Sequence, residues 1–260
     1  MKAILLGLRG SMRSWGALSL GDDRWTEERP TASAVIGLVG ACAGVERSDV
    51  NAVARWNRSW SVVTASALRW STPAAHFEPT LLTDFQTAHN SLKMDGTDNP
   101  TAVVSTRGYL GETREAAALV FTDGADPQLF EQAVAGLRNP VYTPFLGRRC
   151  NALSEPLTAP DDVVDAPSVS AVLDALIERL RRPGLMEPAI AVDKFEVTCD
   201  AGWADTWTQC LREQPGRPVV RLRNGVADRR SAGTMIYSTR TMDIIQFDVA
   251  SLRGAPGEAA

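Results

Sequence analysis

Lysine is almost missing from this chain. Lys2, Lys93 and Lys194 are the three present, so 24 of its 27 basic residues are arginine. A GC-rich genome enriches arginine by itself, so only clustered arginines carry information, through a planar fork that suits phosphate and carboxylate. Histidine is scarcer still: His76 and His89 stand alone, neither in a G-x-S-x-G elbow, which leaves a serine triad without support. The four cysteines, Cys42, Cys150, Cys199 and Cys210, form no C-x-x-C pair. Neither a zinc site nor a disulfide framework is expected, no cofactor site is read, and Cys42, inside an apolar helical pattern, reads as core. The chain lacks G-x-x-x-x-G-K-[ST], and Gly7, Gly10 and Gly16 do not make G-x-G-x-x-G, which argues against those two modes of nucleotide binding. The apolar run near the N-terminus, Ala3 to Leu8, is too short for a membrane span or a signal peptide. The chain is therefore expected in the cytoplasm, with no membrane partner.

What is present reads as ordinary soluble protein: 260 residues, 44% hydrophobic and a net charge of −4 fit one large domain or two small ones. Lys2 to Arg9 is a short apolar run before the turn GSMRSWG and reads as a buried strand. The polar loop Ala17 to Arg29 follows. Pro30 then blocks helix before it, and Thr31 or Ser33 caps the helix that runs toward Val45. Gly37, Gly40 and Gly44 share one face of that helix, so a close neighbour, most simply a sheet, is expected there. Ser59 to Trp70 and Glu115 to Asp123 read as further strands, and Ala125 to Pro140 as a helix with Asp126 as N-cap and Pro127 at its first position. A short fourth strand is placed after Arg149.

The order β-α-β-β-α-β predicts an α+β, ferredoxin-like fold of the kind that RNA-recognition modules share. Its boundaries are set at 1–158, with a long insertion at about 71–114 whose length calls for a protruding hairpin or thumb. Residues 159–253 read as an acidic linker (PDDVVDAP), an amphipathic helix from Ser168 to Gly184 and a small β-rich C-terminal domain, and 254–260 as a frayed tail.

Two chemistries remain open. His89 and Lys93 are four apart in the insertion and Tyr109 follows it; those three residue types supply the acid, base and charge stabiliser of a metal-independent ribonuclease. The arginines offer the other. Arg9 and Arg13 flank the first turn, Arg24 and Arg29 lead into the first helix, Arg107 precedes Tyr109, and Arg148 and Arg149 follow the second helix. Converging at one sheet end beside Trp15 and Tyr142, they would meet the phosphates and stack the bases of a bent single-stranded RNA.

Five landmarks carry a resemblance. GSMRSWG resembles a G-x-M-x-x-W-G turn, RPTASAVIGLVGACAGVERSD an R-x-P-T-x-S helix, TDFQTAH an aromatic thumb segment, STRGYL an R-E-Y-L motif, and PVYTPFLGRRCNALSEPL a P-x-Y-T-P-Y-L-G-R-R signature. In that order, over roughly the first 157 residues, they are similar to the Cas-five family subunit of type I-E CRISPR Cascade complexes. The chain departs from the pattern in three places. Gly108 stands in place of Glu, Cys150-Asn151-Ala152 in place of Ser-Cys-Pro, and the Ser168 to Gly184 helix looks longer, as if for an altered partner surface.

The resemblance implies a non-catalytic antiviral-defence subunit that caps the repeat-derived 5′ handle of the guide RNA (crRNA). Its implied neighbours are the backbone subunit CasC, toward which the thumb would reach, and the large subunit CasA, with target DNA met indirectly through the complex. Repeat processing would fall to CasE, although a related subunit in type I-C systems cleaves the repeat itself. Carried over by motif, the RNA-binding residues are Met12, Arg13, Trp15 and Gly16, Arg29 and Ser33, Arg107 and Tyr109, and Tyr142, Gly147, Arg148 and Arg149.

Overall fold

From Lys2 the chain forms β1 (Lys2–Leu8), the two-residue strands β2 (Met12–Arg13), β3 (Trp15–Gly16), β4 (Asp23–Arg24) and β5 (Thr26–Glu27), then α1 (Ala32–Cys42), α2 (Val50–Arg58) and β6 (Trp60–Ser71). There follow β7 (His76–Phe77), a hairpin of β8 (Thr80–Ala88) and β9 (Val103–Gly111), then β10 (Glu115–Phe121) and α3 (Pro127–Arg138). The chain continues through a 3-10 turn at Pro160–Asp162 to β11 (Val163–Asp165), α4 (Val169–Arg181), β12 (Ala191–Asp200), β13 (Val220–Arg230) and β14 (Tyr237–Asp248). The computed structural model describes residues 1–17, 21–93, 95–184, 189–200, 220–230 and 237–248. The expected tail at 254–260 lies outside the described residues.

β1 is apolar on both faces because both are covered. Ile4, Leu6 and Leu8 point into a core shared with α1 and α3, while Ala3 and Leu5 point into a second core shared with α4. The main sheet runs β11-β1-β10-β6-β12-β14-β13, and every pairing along it is antiparallel. The molecule is thus a mixed α+β protein. Its helices start where local chemistry predicts: the side chain of Thr31 accepts from the Ala34 amide at 3.3 Å, Asp126 from Gln128 at 3.0 Å with Pro127 opening α3, and Ser168 from Ala171 at 3.3 Å.

Four expectations need correction. Gly37 faces solvent with nothing close, and the close neighbour of Gly40 is not a sheet but α2: a Cβ there would stand 2.9 Å from the indole nitrogen of Trp56, which donates to the Ile36 carbonyl. Gly44, at φ +75°, ends the helix instead of lining its face. The fourth strand is β11, inside the stretch read as a linker, where it pairs with β1. Asp162 there is wholly buried and takes the guanidinium of Arg179 at 3.0 Å, so the acidic run is anchored to the fold. Finally, a boundary at residue 158 cuts through one core. β12 pairs with β6, and Val172, Leu173, Leu176 and Leu180 of α4 pack against strands β1, β6 and β10. The apolar face of that helix is covered by this chain's own sheet.

The long insertion contains a hairpin. β8 and β9 pair in unbroken register from Thr80↔Gly111 to Ala88↔Val103, in a separate sheet with β2 and β4.

Candidate nucleic-acid interface

Arg13 and Trp15 alternate with Ser14 after the first turn, and both side chains point inward. Arg13 is 1% exposed; it meets Glu115 of β10 at 2.5 Å and donates to the carbonyls of Glu27 and Glu28, each at 2.7 Å. Trp15 donates its indole N–H to the same carboxylate at 2.9 Å. Burial drives the Glu115 carboxyl pKa up against the pull of Arg13, and drives the Arg13 pKa down against the pull of Glu115. These two residues are therefore corrected from RNA contacts to scaffold: neither presents a fork or a ring face to solvent. Arg29 follows the same logic more loosely, a quarter exposed and paired with buried Glu196 of β12 at 2.5 Å. Glu115 and Glu196 both lie opposite Ser66 of β6, so one row of the sheet carries both anchors for the segment between β1 and α1.

A different set does converge. Ser14, Gly16, Arg24, Trp25, Arg107, Gly147 and Arg148 line a cleft of about 330 Å³. Gly147 has φ +85°, and a Cβ there would stand 1.7 Å from the Ser14 carbonyl oxygen, so only glycine brings these two backbones together. The Ser14 amide then donates to the Leu146 carbonyl at 3.1 Å. Buried Asn151 closes the turn from the other side, its side-chain amide donating to Leu146 at 3.0 Å. That turn presents Arg148, which donates to the carbonyls of Gly108 (2.9 Å) and Arg24 (2.6 Å) and lies 4.4 Å over the Tyr109 ring. Arg149 projects outward, exposed. Arg107 donates to the Ser105 hydroxyl at 3.1 Å. Among the described residues, none of Arg24, Arg107, Arg148 and Arg149 forms an ion pair. Arg24, Arg107 and Arg148 are held at the cleft by neutral carbonyls and a hydroxyl, with Asp84 opposite Arg107 across the hairpin but outside ion-pair distance.

The remaining candidates divide. Gly16 is exposed at the cleft, and Met12 pairs with Gly111 in the adjoining sheet. Tyr109 is buried and accepts from the Gln86 side chain at 3.0 Å, so it supports Arg148 from below without facing solvent. Ser33 bonds the hydroxyl of its neighbour Thr31. Tyr142 is exposed but bonded to Glu46, past the opposite end of α1, a helix whose 11 residues span about 16 Å. It is not part of the cleft. Nor are His89 and Lys93 brought to Tyr109: Tyr109 pairs with Leu82 at the base of the hairpin, whereas His89 lies just past the end of β8, about 23 Å further along at ~3.3 Å per residue. Sequence reasoning passed over Trp25, hidden in a polar loop whose only cue was an indole next to an arginine.

Fold and cleft together define the class: a mixed α+β sheet protein presenting a cleft lined by three arginines, Arg24, Arg107 and Arg148. The family model described as "CRISPR-associated protein (Cas_Cas5)" matches residues 3–243, and the chain belongs to that family. It is 30% identical over 158 residues to the CRISPR system Cascade subunit CasD of Escherichia coli (strain K12), covering 59% of this chain and 68% of that relative. A solved CRISPR RNA-guided surveillance complex contains a chain of similar fold, with a TM-score of 0.59 at 21% identity over 98% of this chain and 95% of that one. A crystal structure of a Cas protein gives a TM-score of 0.56 at 20% identity over 98% and 100%. Among the described residues no helix is long and apolar enough to cross a membrane.

Proposed function

We propose that this chain is a non-catalytic subunit of a type I-E Cascade that caps the repeat-derived 5′ handle of crRNA. The observation that carries the reading is the cleft itself: Arg107 and Arg148, expected from the sequence motifs, line it together beside Gly147, and among the described residues neither forms an ion pair. Such forks bind phosphate oxygens, and the uncovered backbone around Gly16 and Gly147 lets a sugar-phosphate chain approach closely. In an RNA-guided complex base pairing reads the target, so this subunit needs grip and shape more than chemistry.

We read the four strands β11-β1-β10-β6, with α1 and α3 on one face, as a ferredoxin-like unit extended by β12 and its neighbours. The hairpin exposes Leu81, Leu82, Phe85 and Val104, an apolar surface suited to a backbone subunit such as CasC, and the large subunit CasA would rest on another face. Target DNA is then met through the complex. The endoribonuclease alternative requires His89 and Lys93 to act with Tyr109, and their separation along the hairpin gives it no geometric support.

Co-expressing this chain with its Cascade partners and a CRISPR array, pulling on this chain, and sequencing the RNA tests the proposal. Uniform repeat-derived 5′ ends alongside the other subunits are expected; a folded preparation without RNA or partners would overturn it. Cleavage of repeat RNA by the purified chain, abolished by His89→Ala, would install the alternative.

A further inference from the structure

We infer that Trp25, seated against the bare backbone of Gly108, is the platform on which one unpaired base of the bound RNA stacks. Trp25 lies between β4 and β5. β4 pairs in parallel with β9, matching Asp23 to Thr106 and Arg24 to Arg107, which brings Trp25 alongside Gly108. A Cβ on Gly108 would stand 3.3 Å from Cε3 of the indole and 3.4 Å from the Thr26 nitrogen. A side chain at 108 would therefore crowd the ring, which would have to give by a few tenths of an ångström, and the glycine that departs from the R-E-Y-L pattern avoids that crowding.

The ring is 42% exposed, a large apolar surface left open to solvent. The chain that carries it is fixed on both sides. Arg148 donates to the carbonyl of Arg24 at 2.6 Å, and the Thr26 hydroxyl accepts from the Trp15 amide at 2.9 Å, with Arg13 fixing Glu27 and Glu28 behind it. Little ordering is left for a ligand to impose.

Around the indole stand Arg24, Arg107 and Arg148, none of them ion-paired among the described residues. A ligand that answers both features carries regular anionic charge and flat π-faces, which single-stranded nucleic acid does and an acidic peptide does not. The platform is sequence-tolerant, because every base has a face to offer.

Resting on the handle-binding reading above, the inference is tested with the full chain and a fluorescent single-stranded RNA of the repeat-derived 5′ segment from its own array. A companion set of RNAs carries one abasic sugar at each position. In the wild type one abasic position is expected to weaken binding about 5- to 150-fold. Trp25→Ala should lose a similar factor and become indifferent to that position, with Trp25→Phe recovering part. Gly108→Glu, checked for an unchanged melting midpoint, should reproduce the loss without adding to Trp25→Ala.

Wild-type affinity in Trp25→Ala, or an abasic penalty that persists there, overturns the inference while leaving the handle reading intact if Arg148→Ala/Arg149→Ala still weakens binding. Loss of a co-purifying protein with RNA affinity unchanged overturns it too, assigning the ring to a protein contact. A wild-type chain that does not bind this RNA brings down both.

Discussion

Arg13 and Arg148 both follow a turn, both touch the aromatic framework, and both are expected from the sequence to hold RNA, yet they sit in opposite environments. Arg13 finds a carboxylate, Glu115, and the two are sealed between β2 and the main sheet. Arg148 finds two carbonyls and the Tyr109 ring, which orient the guanidinium without cancelling its charge. Arg29 with Glu196 repeats the first pattern, Arg24 and Arg107 share the second, and Arg149 stands exposed beside them. An arginine near a turn becomes scaffold when the sheet beneath it supplies a carboxylate, and stays available for phosphate when the sheet offers only backbone.

The comparison is broken most severely by Arg13→Ala, which strands a buried carboxylate. A stability loss of about 3–5 kcal/mol is expected in chemical denaturation. Without Arg13 the Glu115 carboxyl loses the cation that pulls its pKa down, so a value already raised by burial rises further. Protonation then removes the buried charge, and the stability gap between variant and wild type should narrow as pH falls through that raised value. A gap independent of pH would show that Glu115 is not the group left stranded.

Gly147→Ala comes next. It places a Cβ on the Ser14 carbonyl at a left-handed φ, so a loss of about 2–3 kcal/mol is expected together with weakened RNA binding, because the turn that presents Arg148 is displaced. Arg29→Ala should cost about 2 kcal/mol, since among the described residues Glu196 keeps only a 3.4 Å contact from Gln246. Arg149→Ala is the smallest: a change within about 0.5 kcal/mol in thermal unfolding is expected of an exposed side chain without partners among the described residues.

Much of this fold is legible in local sequence. The caps of α1, α3 and α4 and the apolar strands β1, β6 and β10 announce themselves within a few residues, while the hairpin is legible only from the length of its insertion. α2 does not announce itself, because it is nine residues long and buries only Trp56, leaving even Val50 exposed. β11 is three residues within an acidic run, and its partner β1 lies at the other end of the domain. The cleft was half legible for the same reason. Motif spacing marks Arg13 and Arg148 alike, and what separates them is a glutamate about a hundred residues from Arg13 that only the sheet register brings near. Trp25 carries no local signal until the parallel pairing of β4 with β9 sets it beside Gly108.

The salt dependence of binding to the 5′ handle RNA separates the two arginine classes most directly. Each phosphate contact on a single strand adds about 0.7 to the slope of log affinity against log salt, so Arg148→Ala/Arg149→Ala should lower the slope by about 1.4. Arg29→Ala should leave it unchanged. An unaltered slope in the double variant, or an equal drop in Arg29→Ala, would contradict the division between scaffold and phosphate-holding arginines.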